Sequence, residues 1–272
     1  MKCFVNFERY IFTKAIKWGK IEKKALFRLG GSMSKGNVKY KRVLLKLSGE
    51  ALSKGGEGIL NYDVLKNISQ NIKACVDLGV SFGIVVGAGN IWRGSFGKEM
   101  DVVRSDHMGM MGTVINALAL QDTLENEGID TRVMTAVEMK QFAEPYIRNK
   151  ALSHLKNGRV CIFGCGTGSP FFTTDTAAVL RAAEISADIV LLAKNNVDGV
   201  YTNDPAKFPD ATKLENLHYS DIILDKRLGA LDATAASFCM NNNIPLLVIG
   251  IDDPCNIVRA IMGQNIGTAI SH

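Results

Sequence analysis

The feature that most constrains the fold is a regular alternation, from residue 40 onward, of short apolar runs with longer amphipathic segments. Each run is four or five residues long and almost continuously apolar, whereas a strand with one solvated face would alternate. Continuous apolar runs are typical of strands buried on both faces of a parallel sheet. The six runs are Val43–Leu47, Phe82–Val86, Arg132–Thr135, Val160–Phe163, Ile189–Leu192 and Leu246–Ile249.

The segments between these runs have the length and periodicity of helices. In the first of them, Leu65, Ile68 and Ile72 recur on one helical face. Strands that alternate with helices predict an α/β sandwich with right-handed crossovers. One segment, Val197–Asp221, breaks the rhythm with turn dipeptides, and we interpret it as a hairpin and loop suited to cover a nucleotide base. The predicted helices are Tyr62–Leu78, Asp106–Glu127, Ala151–Lys156, Thr174–Ile185, Gly229–Asn242 and Ile257–Met262.

The positive charge of the chain is confined to its first 38 residues. The 272-residue chain has a formal net charge of +5, and residues 1–38 hold nine Lys or Arg and two Glu, which leaves −2 for the remainder. The near-neutral body argues against a nucleic-acid partner. The leader could be a basic arm for membrane or nucleic acid, or upstream sequence before a true start at Met33, and we favour the second. We therefore expect one domain, 39–272, behind a leader, 1–38.

The cysteines, histidines and apolar residues exclude several classes of protein. The six cysteines show no CxxC pair, and the four histidines lack the spacing of metal ligands. We therefore expect reduced thiols in a cytoplasmic protein and no metal site built from side chains. No uncharged apolar stretch reaches the roughly 18 residues that a membrane span needs, so no membrane partner is expected.

Three glycine-rich turns each follow a predicted strand: Lys46–Gly49, Gly87–Asn90 and Gly164–Pro170. In an open α/β sheet, ligands bind at the carboxyl ends of the strands, where helix N-termini offer free N–H groups. Glycine also lets the backbone approach an anion closely. One such turn is as readily a plain connection between a strand and a helix, but three together predict a site for a ligand with several phosphates.

Lys46 is unusual because it lies near the end of a strand that is predicted to be buried, and an unpaired lysine seldom accepts burial. Its stem could extend along the sheet edge to solvent. With Ser48 and Gly49 beside it, we favour a role in bridging the leaving and transferred phosphoryl groups. The pattern is not a Walker loop, because Lys46 precedes the glycine. It is not a dinucleotide fingerprint either. That fingerprint has an acidic residue at the end of the following strand, whereas Asp188 lies at the start of the next predicted strand.

Five strings of residues carry a resemblance to a known family. They are Tyr40–Leu52, Val86–Gly94, Asp106–Met110, Gly166–Asp175 and Val197–Pro205. Together they resemble bacterial uridylate kinases, which belong to the amino-acid kinase family. The resemblance runs from about Lys39 to Ile270, in order and with near-family spacing, and it leaves the leader outside.

The resemblance implies a three-layer α/β/α sandwich around a mostly parallel sheet and a homohexamer. It also implies phosphoryl transfer from ATP, with Mg²⁺, to UMP, with GTP as activator and UTP as inhibitor. The catalytic residues would be Lys46, Arg93 and Asp175. The residues that bind ATP would be Lys46, Leu47, Ser48, Gly49, Gly89, Arg93, Asn196, Tyr201 and Asp204. The residues that bind UMP would be Ala88, Asp106, Thr167, Gly168, Ser169, Pro170, Phe171, Phe172, Thr173 and Thr174.

Three positions depart from the family pattern. Ala88 stands where the family has a third glycine, Ser169 stands where Asn is expected, and Asn195–Asn196 replaces a Thr-Lys pair of some members. A positive φ or a close phosphate at Ala88 would weaken UMP binding. Ser169 would change one hydrogen bond to the acceptor.

Several residues keep two interpretations. Asp175 is either an ordinary acid at a helix start or the group that orients the lysine and the phosphates. Arg93 could be a solvated surface charge, and Asp232 either caps a helix or supports the catalytic lysine. The methionines around His107 are interpreted as packing and not as a metal site. A kinase acting on a carboxylate, or a non-catalytic nucleotide- or oxyanion-binding protein of the same fold, is the alternative function.

Deleting residues 1–32 is expected to leave the phosphoryl-transfer activity unchanged, because the resemblance begins only at Lys39. The measurement is the steady-state rate of nucleoside diphosphate formation, with the full chain as the control. A loss of activity would show that the leader is part of the working enzyme.

Overall fold

The computed structural model describes residues 38–54, 58–94, 99–229 and 231–272, with the side chain of Lys226 left out. Apart from Val38, the predicted leader lies outside the described residues. Val38–His272 forms one compact unit.

The described residues form eleven strands. They are β1 (Arg42–Leu47), β2 (Ser81–Val86), β3 (Thr131–Thr135), β4 (Glu144–Pro145), β5 (Val160–Gly164), β6 (Ile189–Lys194), β7 (Val200–Tyr201), β8 (Lys213–Leu214), β9 (Asn216–His218), β10 (Leu246–Gly250) and β11 (Thr268–Ser271). Nine of them form one sheet in the order β4-β3-β5-β2-β1-β6-β10-β11-β9. Every neighbouring pair in it is parallel except β10 and β11.

The helices of the described residues cover both faces of this sheet. They are α1 (Gly49–Ser53), α2 (Tyr62–Asp77), α3 (Val102–Asn126), α4 (Arg148–Lys156), α5 (Thr174–Glu184), α6 (Tyr219–Leu224), α7 (Ala233–Asn242) and α8 (Cys255–Ile261). A short 3-10 turn, Lys226–Leu228, precedes α7. None of the helices in this described part of the chain is long and apolar enough to cross a bilayer.

Two apolar cores lie on opposite faces of the sheet, so the molecule has three layers. Because side chains alternate along a strand, Val43 and Leu45 of β1 belong to the core beneath α2, α3 and α8, whereas Leu44 belongs to the core beneath α4, α5, α6 and α7. The predicted α/β/α sandwich with a mostly parallel sheet is confirmed. By the same alternation, Lys46 shares the face of Leu44 and points toward the layer that contains α5.

The six predicted strands are confirmed, and the helix boundaries shift where capping residues decide them. Helix α3 begins at Val102, four residues earlier than predicted, because the side chain of Asp101 accepts from the Arg104 N–H. Helix α7 begins at Ala233, later than predicted, because Asp232 caps it and the preceding residues form the 3-10 turn. The predicted hairpin in Val197–Asp221 is present as the antiparallel pair β7 and β8.

The first two glycine turns touch each other because β1 and β2 are parallel neighbours and end at the same edge. The Gly87 N–H donates to the Leu47 carbonyl at 2.8 Å. A Cβ atom on Gly49 would lie only 2.7 Å from the Gly87 carbonyl oxygen and 2.7 Å from the Gly89 nitrogen. Gly49 is therefore needed for the close approach of the two turns.

Replacing Gly49 with Ala is expected to force these turns apart, with a loss of ~2 kcal/mol in the free energy of unfolding and a larger fractional loss of activity. Urea unfolding and steady-state rates measure the two effects. The matched control is Gly58→Ala, because an added Cβ there meets only the Leu60 carbonyl oxygen, at 3.8 Å. Equal behaviour of the two variants would contradict the close-approach argument.

Candidate active site

A charged cluster lies where the carboxyl ends of β1 and β6 meet the start of α5. The Lys46 Nζ lies 2.7 Å from the Asp175 Oδ1, and the two side chains are only 9% and 15% exposed. Burial would raise the pKa of Asp175, but the charges of Lys46 and Lys194 outweigh it and hold the pKa below its ordinary value. Asp175 is therefore an ionised carboxylate that forms an ion pair with Lys46 and is also stabilised by the nearby charge of Lys194.

Lys194, the last residue of β6, is the part of this cluster that sequence reasoning missed. Burial lowers its pKa, and of the two charges nearby, Asp175 opposes this effect and Lys46 adds to it. The residue ends an apolar run and looks like an ordinary lysine at a strand terminus, so no local signal marks it. Its role depends on β6 lying directly beside β1 in the sheet.

Asp175 sits in the first turn of α5, where the helix dipole also favours a negative charge. The two interpretations of Asp175 are therefore compatible: it starts a helix and it orients Lys46. Thr173 caps this helix by accepting from the N–H groups of Asp175 and Thr176. The position of the carboxylate is thus set by the cap.

Asp232 supports this cap. Its carboxylate accepts from the Ala235 N–H at 2.9 Å, which caps α7, and from the hydroxyl groups of Thr173 and Thr176. The described residues show no contact between Asp232 and Lys46. Asp232 therefore acts on the site by joining the N-termini of α5 and α7.

A buried amide network holds the second glycine turn. Asn116 of α3 is fully buried, and its Nδ2 donates to the Gly87 carbonyl at 2.7 Å and to the Asn90 Oδ1 at 2.8 Å. The Asn90 Nδ2 donates in return to the Asn116 Oδ1 at 3.0 Å. Asn116 was not predicted from the sequence, because its partners lie on a separate turn and no local spacing reveals them.

Ala88 fits this turn without strain. It is not among the non-glycine residues with positive φ, and it is buried. Its methyl group faces Gly112 of α3, where an added Cβ would lie 2.9 Å from it. The concern that Ala88 needs a glycine backbone is therefore not supported.

The Ser48 hydroxyl is buried and has no hydrogen-bond partner among the described residues. Ser48 lies two residues after Lys46 and precedes α1, whose N-terminal N–H groups favour an anion. A buried hydroxyl without a partner is costly. A phosphate oxygen bound beside Lys46 would satisfy it.

Arg93 is engaged with protein groups in this structure. Its guanidinium forms an ion pair with Glu50, and its Nε donates to the Gly89 carbonyl at 3.2 Å. The side chain is about half exposed, so exchanging Glu50 for a phosphate would cost little desolvation. Arg93 thus lies against the turn where it was predicted, with a carboxylate as its present partner.

The larger cavity, of about 270 Å³, lies between the start of α3 and the third glycine turn. Seven of the ten residues predicted to bind UMP line it: Ala88, Asp106, Thr167, Ser169, Phe172, Thr173 and Thr174. Gly168, Pro170 and Phe171 do not line it. The Phe171 N–H instead donates to the Asp106 Oδ2 at 2.7 Å. Because Phe171 has a positive φ of 70°, which is unusual for its residue type, this contact holds a strained backbone at the cavity.

A second cavity, of about 210 Å³, lies beside the hairpin of β7 and β8. Lys194, Tyr201 and Asp204 line it, so it contains two of the three residues predicted to receive the adenine nucleotide. The third, Asn196, does not line it; its N–H donates to Asp252 at 3.1 Å. Of the charged cluster, Lys194 lines this cavity, and Asp175 directly follows Thr174, which lines the first one.

The described residues contain no group of three or more His, Cys, Asp or Glu side chains that could hold a metal ion. Asp175 is already engaged by lysines. Mg²⁺ prefers to keep substrate phosphates among its ligands.

Comparisons with known proteins agree with this architecture. Residues 41–250 match the model of the amino acid kinase family. The crystal structure of a UMP kinase from Bacillus anthracis matches with a TM-score of 0.82 and 40% identity, over 85% of this chain and 96% of that one. A UMP kinase from Ureaplasma parvum matches with a TM-score of 0.80 and 36% identity, over 86% of this chain and 100% of that one.

A more distant match is a uridylate kinase from Archaeoglobus fulgidus, with a TM-score of 0.66 and 28% identity over 84% of this chain and 99% of that one. The resemblance inferred from the five strings of residues is confirmed by these structures. The sheet order, the turns at its carboxyl edge and the family match all lead to one conclusion. The chain is a member of the amino acid kinase family.

Proposed function

We propose that this protein is a UMP kinase, which transfers the terminal phosphoryl group of ATP to the phosphate of UMP. The observation that carries the proposal is the Lys46–Asp175–Lys194 cluster: Lys194 lines the second cavity, and Asp175 directly follows Thr174, which lines the first. Two cavities suit two nucleotides, and a net positive cluster next to both lining segments suits their phosphates. The similarity to solved UMP kinases supports the identity of the acceptor.

In the proposed reaction an oxygen of the UMP phosphate attacks the γ-phosphorus of ATP. A new P–O bond forms, the bond from the γ-phosphorus to the bridging oxygen breaks, and ADP leaves with that electron pair. The attacking phosphate is already an anion at neutral pH, so no strong general base is needed. The protein has to align two anions that repel each other and to neutralise the charge of the transition state.

Lys46, Lys194 and Arg93 supply positive charge in this scheme, and Ser48 with the backbone of Leu47, Gly49 and Gly89 binds the phosphates of ATP. Asp175 orients the ammonium group of Lys46 and offsets part of the charge of Lys194. Because its pKa is lowered, Asp175 is a poor proton acceptor and is not proposed as a base. Mg²⁺ bound to ATP would shield the charge of its phosphates.

The substrates would occupy the two cavities according to their lining. Asp106, together with the turn from Thr167 to Thr174, would hold the ribose, base and phosphate of UMP. Tyr201 and Asp204 would receive the adenine nucleotide, and Asn196 would shape the adjacent turn through Asp252.

Two other functions are open to this fold. A kinase that phosphorylates a carboxylate would share the glycine turns, but it would not be expected to carry the Asp106–Met110 string at the acceptor cavity. A non-catalytic binding protein would not need the ion pair between Lys46 and Asp175. The observed placement of both features favours the UMP kinase.

Further properties are proposed on the resemblance alone. They are a single catalytic domain at 39–272, a homohexamer, a cytoplasmic location, a role in making pyrimidine nucleotides, activation by GTP and inhibition by UTP.

The acceptor is tested with purified protein, Mg-ATP and a panel of UMP, CMP, acetylglutamate and aspartate. UDP is expected to be the main product. Lys46→Ala is expected to lower kcat by about 100-fold or more, as removal of one preorganised charge-stabilising group does. Lys73→Ala is the control, because Lys73 forms an ion pair with Asp77 on α2 itself and, within the described part of the chain, pairs with no other residue. Turnover of a carboxylate in preference to UMP would overturn the proposal, and tight ATP binding without UDP would favour the binding protein.

Lys194→Met is expected to lower activity while keeping or raising the melting temperature. Burial makes the pKa of Lys194 lower in the folded protein than in the unfolded chain. The charged form of Lys194 is therefore less stable in the folded protein than in the unfolded chain. Its charge therefore opposes folding at neutral pH, and methionine removes that cost at similar volume. Differential scanning calorimetry and kcat measure the two effects. A fall in both would assign Lys194 a structural role instead.

A further inference from the structure

We infer that Thr268 is a positioning residue for ATP: its hydroxyl group joins the hairpin of β7 and β8 to the main sheet and so sets one wall of the second cavity. The inference rests on the proposed function, in which that cavity receives the adenine nucleotide. Thr268 does not itself line the cavity. It acts through the hairpin and not by touching ATP.

The hairpin needs an attachment because its two strands form a separate sheet. In the described part of the chain, β7 and β8 pair only with each other, whereas the other nine strands form the main sheet. A two-stranded hairpin is at best marginally stable on its own. Val200 and Tyr201 of β7 nevertheless line the cavity, and so does Asp204 shortly after them. The position of this wall therefore depends on contacts between the hairpin and the rest of the protein.

One buried hydroxyl group holds both strands of the hairpin. Thr268, the first residue of β11, is fully buried. Its Oγ1 accepts from the Val200 N–H at 2.8 Å and donates to the Leu214 carbonyl. Val200 and Leu214 are partners across the hairpin. Among the described residues, these two hydrogen bonds are the ones that link β7 and β8 to the main sheet.

The bridge requires a hydroxyl side chain, because a hydroxyl accepts one hydrogen bond and donates another through the same atom. Threonine also has few side-chain rotamers, so its Oγ1 is held in one direction. Valine has the same shape but can neither accept nor donate. It would leave the Val200 N–H and the Leu214 carbonyl without partners, and this loss favours movement of the hairpin toward water.

Two glycines allow the hairpin to pack this closely against the main sheet. A Cβ atom on Gly199 would lie only 2.7 Å from the Thr268 Oγ1. A Cβ atom on Gly250, the last residue of β10, would lie 3.0 Å from the Asp198 Cα. The chain that enters the hairpin therefore packs directly against β10 and β11.

Thr268 also fixes the hairpin relative to another part of the cavity lining. It pairs with Val248 of β10, and Val248 lines the same cavity as Tyr201. A shift of the hairpin away from Thr268 would change the distance between Val248 and Tyr201, and with it the fit of the nucleotide. ATP would then bind only to molecules whose hairpin is in place, so KM for ATP would rise as their fraction falls.

The test compares two variants of the full-length enzyme. Thr268→Val removes both hydrogen bonds and keeps the shape of the side chain, whereas Thr268→Ser keeps the hydroxyl group. The matched control is Thr131→Val. Thr131 is also fully buried at the start of a strand, but its hydroxyl donates to the Ile129 carbonyl, and neither residue lines either of the two cavities.

Thr268→Val is expected to raise KM for ATP by about 5- to 30-fold, the effect of one or two lost hydrogen bonds. KM for UMP and kcat at saturating ATP should stay near the native values, because bound ATP restores the position of the hairpin. Thr268→Ser and Thr131→Val should keep the native KM for ATP. Hydrogen exchange at the Val200 amide should be faster in Thr268→Val, and a non-hydrolysable ATP analogue should slow it again.

A second variant serves if Thr268→Val does not fold. Gly199→Ala leaves the Thr268 hydroxyl in place but inserts a methyl group between it and the hairpin. It should therefore raise KM for ATP and leave KM for UMP unchanged.

Three results would overturn the inference: a native KM for ATP in Thr268→Val or Gly199→Ala, an equal rise of KM for ATP and UMP, or a Thr268→Ser variant as impaired as Thr268→Val. Failure of the proposed function is recognised separately, in the native enzyme. If the native enzyme bound ATP but phosphorylated another acceptor, the same variants would decide the inference with that acceptor. If it did not bind ATP, both proposals would be wrong.

Discussion

An ionised carboxylate paired with the buried Lys46, close to the half-buried Lys194, is the interaction on which the rest of the site depends. Asp175 comes from the start of α5, Lys46 from β1 and Lys194 from β6, the strand beside β1. The ion pair between Asp175 and Lys46 ties the helix to β1. One carboxylate cannot balance two ammonium groups, and the residual positive charge is costly in the absence of an anion. The phosphates of two nucleotides would supply that balance. The positive charges that lower the stability of the free protein would therefore strengthen the binding of the nucleotides.

The sheet makes this cluster possible because it brings the ends of separate chain segments to one edge. The central strands β2, β1, β6 and β10 are parallel neighbours and end together. Their turns and the helices that follow place N–H groups, glycines and the two cavities around the lysines. Much of the supporting structure serves this placement: Asn116 fastens the second turn, Asp232 fastens the cap of α5, and Thr268 fastens the hairpin of β7 and β8.

The central strands and the three turns could be predicted from sequence because both depend on local patterns. A strand buried on both faces is continuously apolar. Lys46 is therefore conspicuous as a charged residue within such a run, and its burial implies a partner of opposite charge. Lys194, Asn116 and Thr268 could not be found in this way, since each looks ordinary in its own segment and acquires its role from a partner far along the chain. The short strands β9 and β11 were missed for a related reason: a few residues carry too little pattern, and their pairing depends on the sheet already being formed.

The most direct test of this account is a crystal structure with UMP and a non-hydrolysable ATP analogue bound together. The account predicts that the Nζ atoms of Lys46 and Lys194 both contact phosphate oxygens, with Asp175 still paired with Lys46 and the two nucleotides in separate cavities. Phosphates bound elsewhere, with the lysines still facing only Asp175, would contradict it.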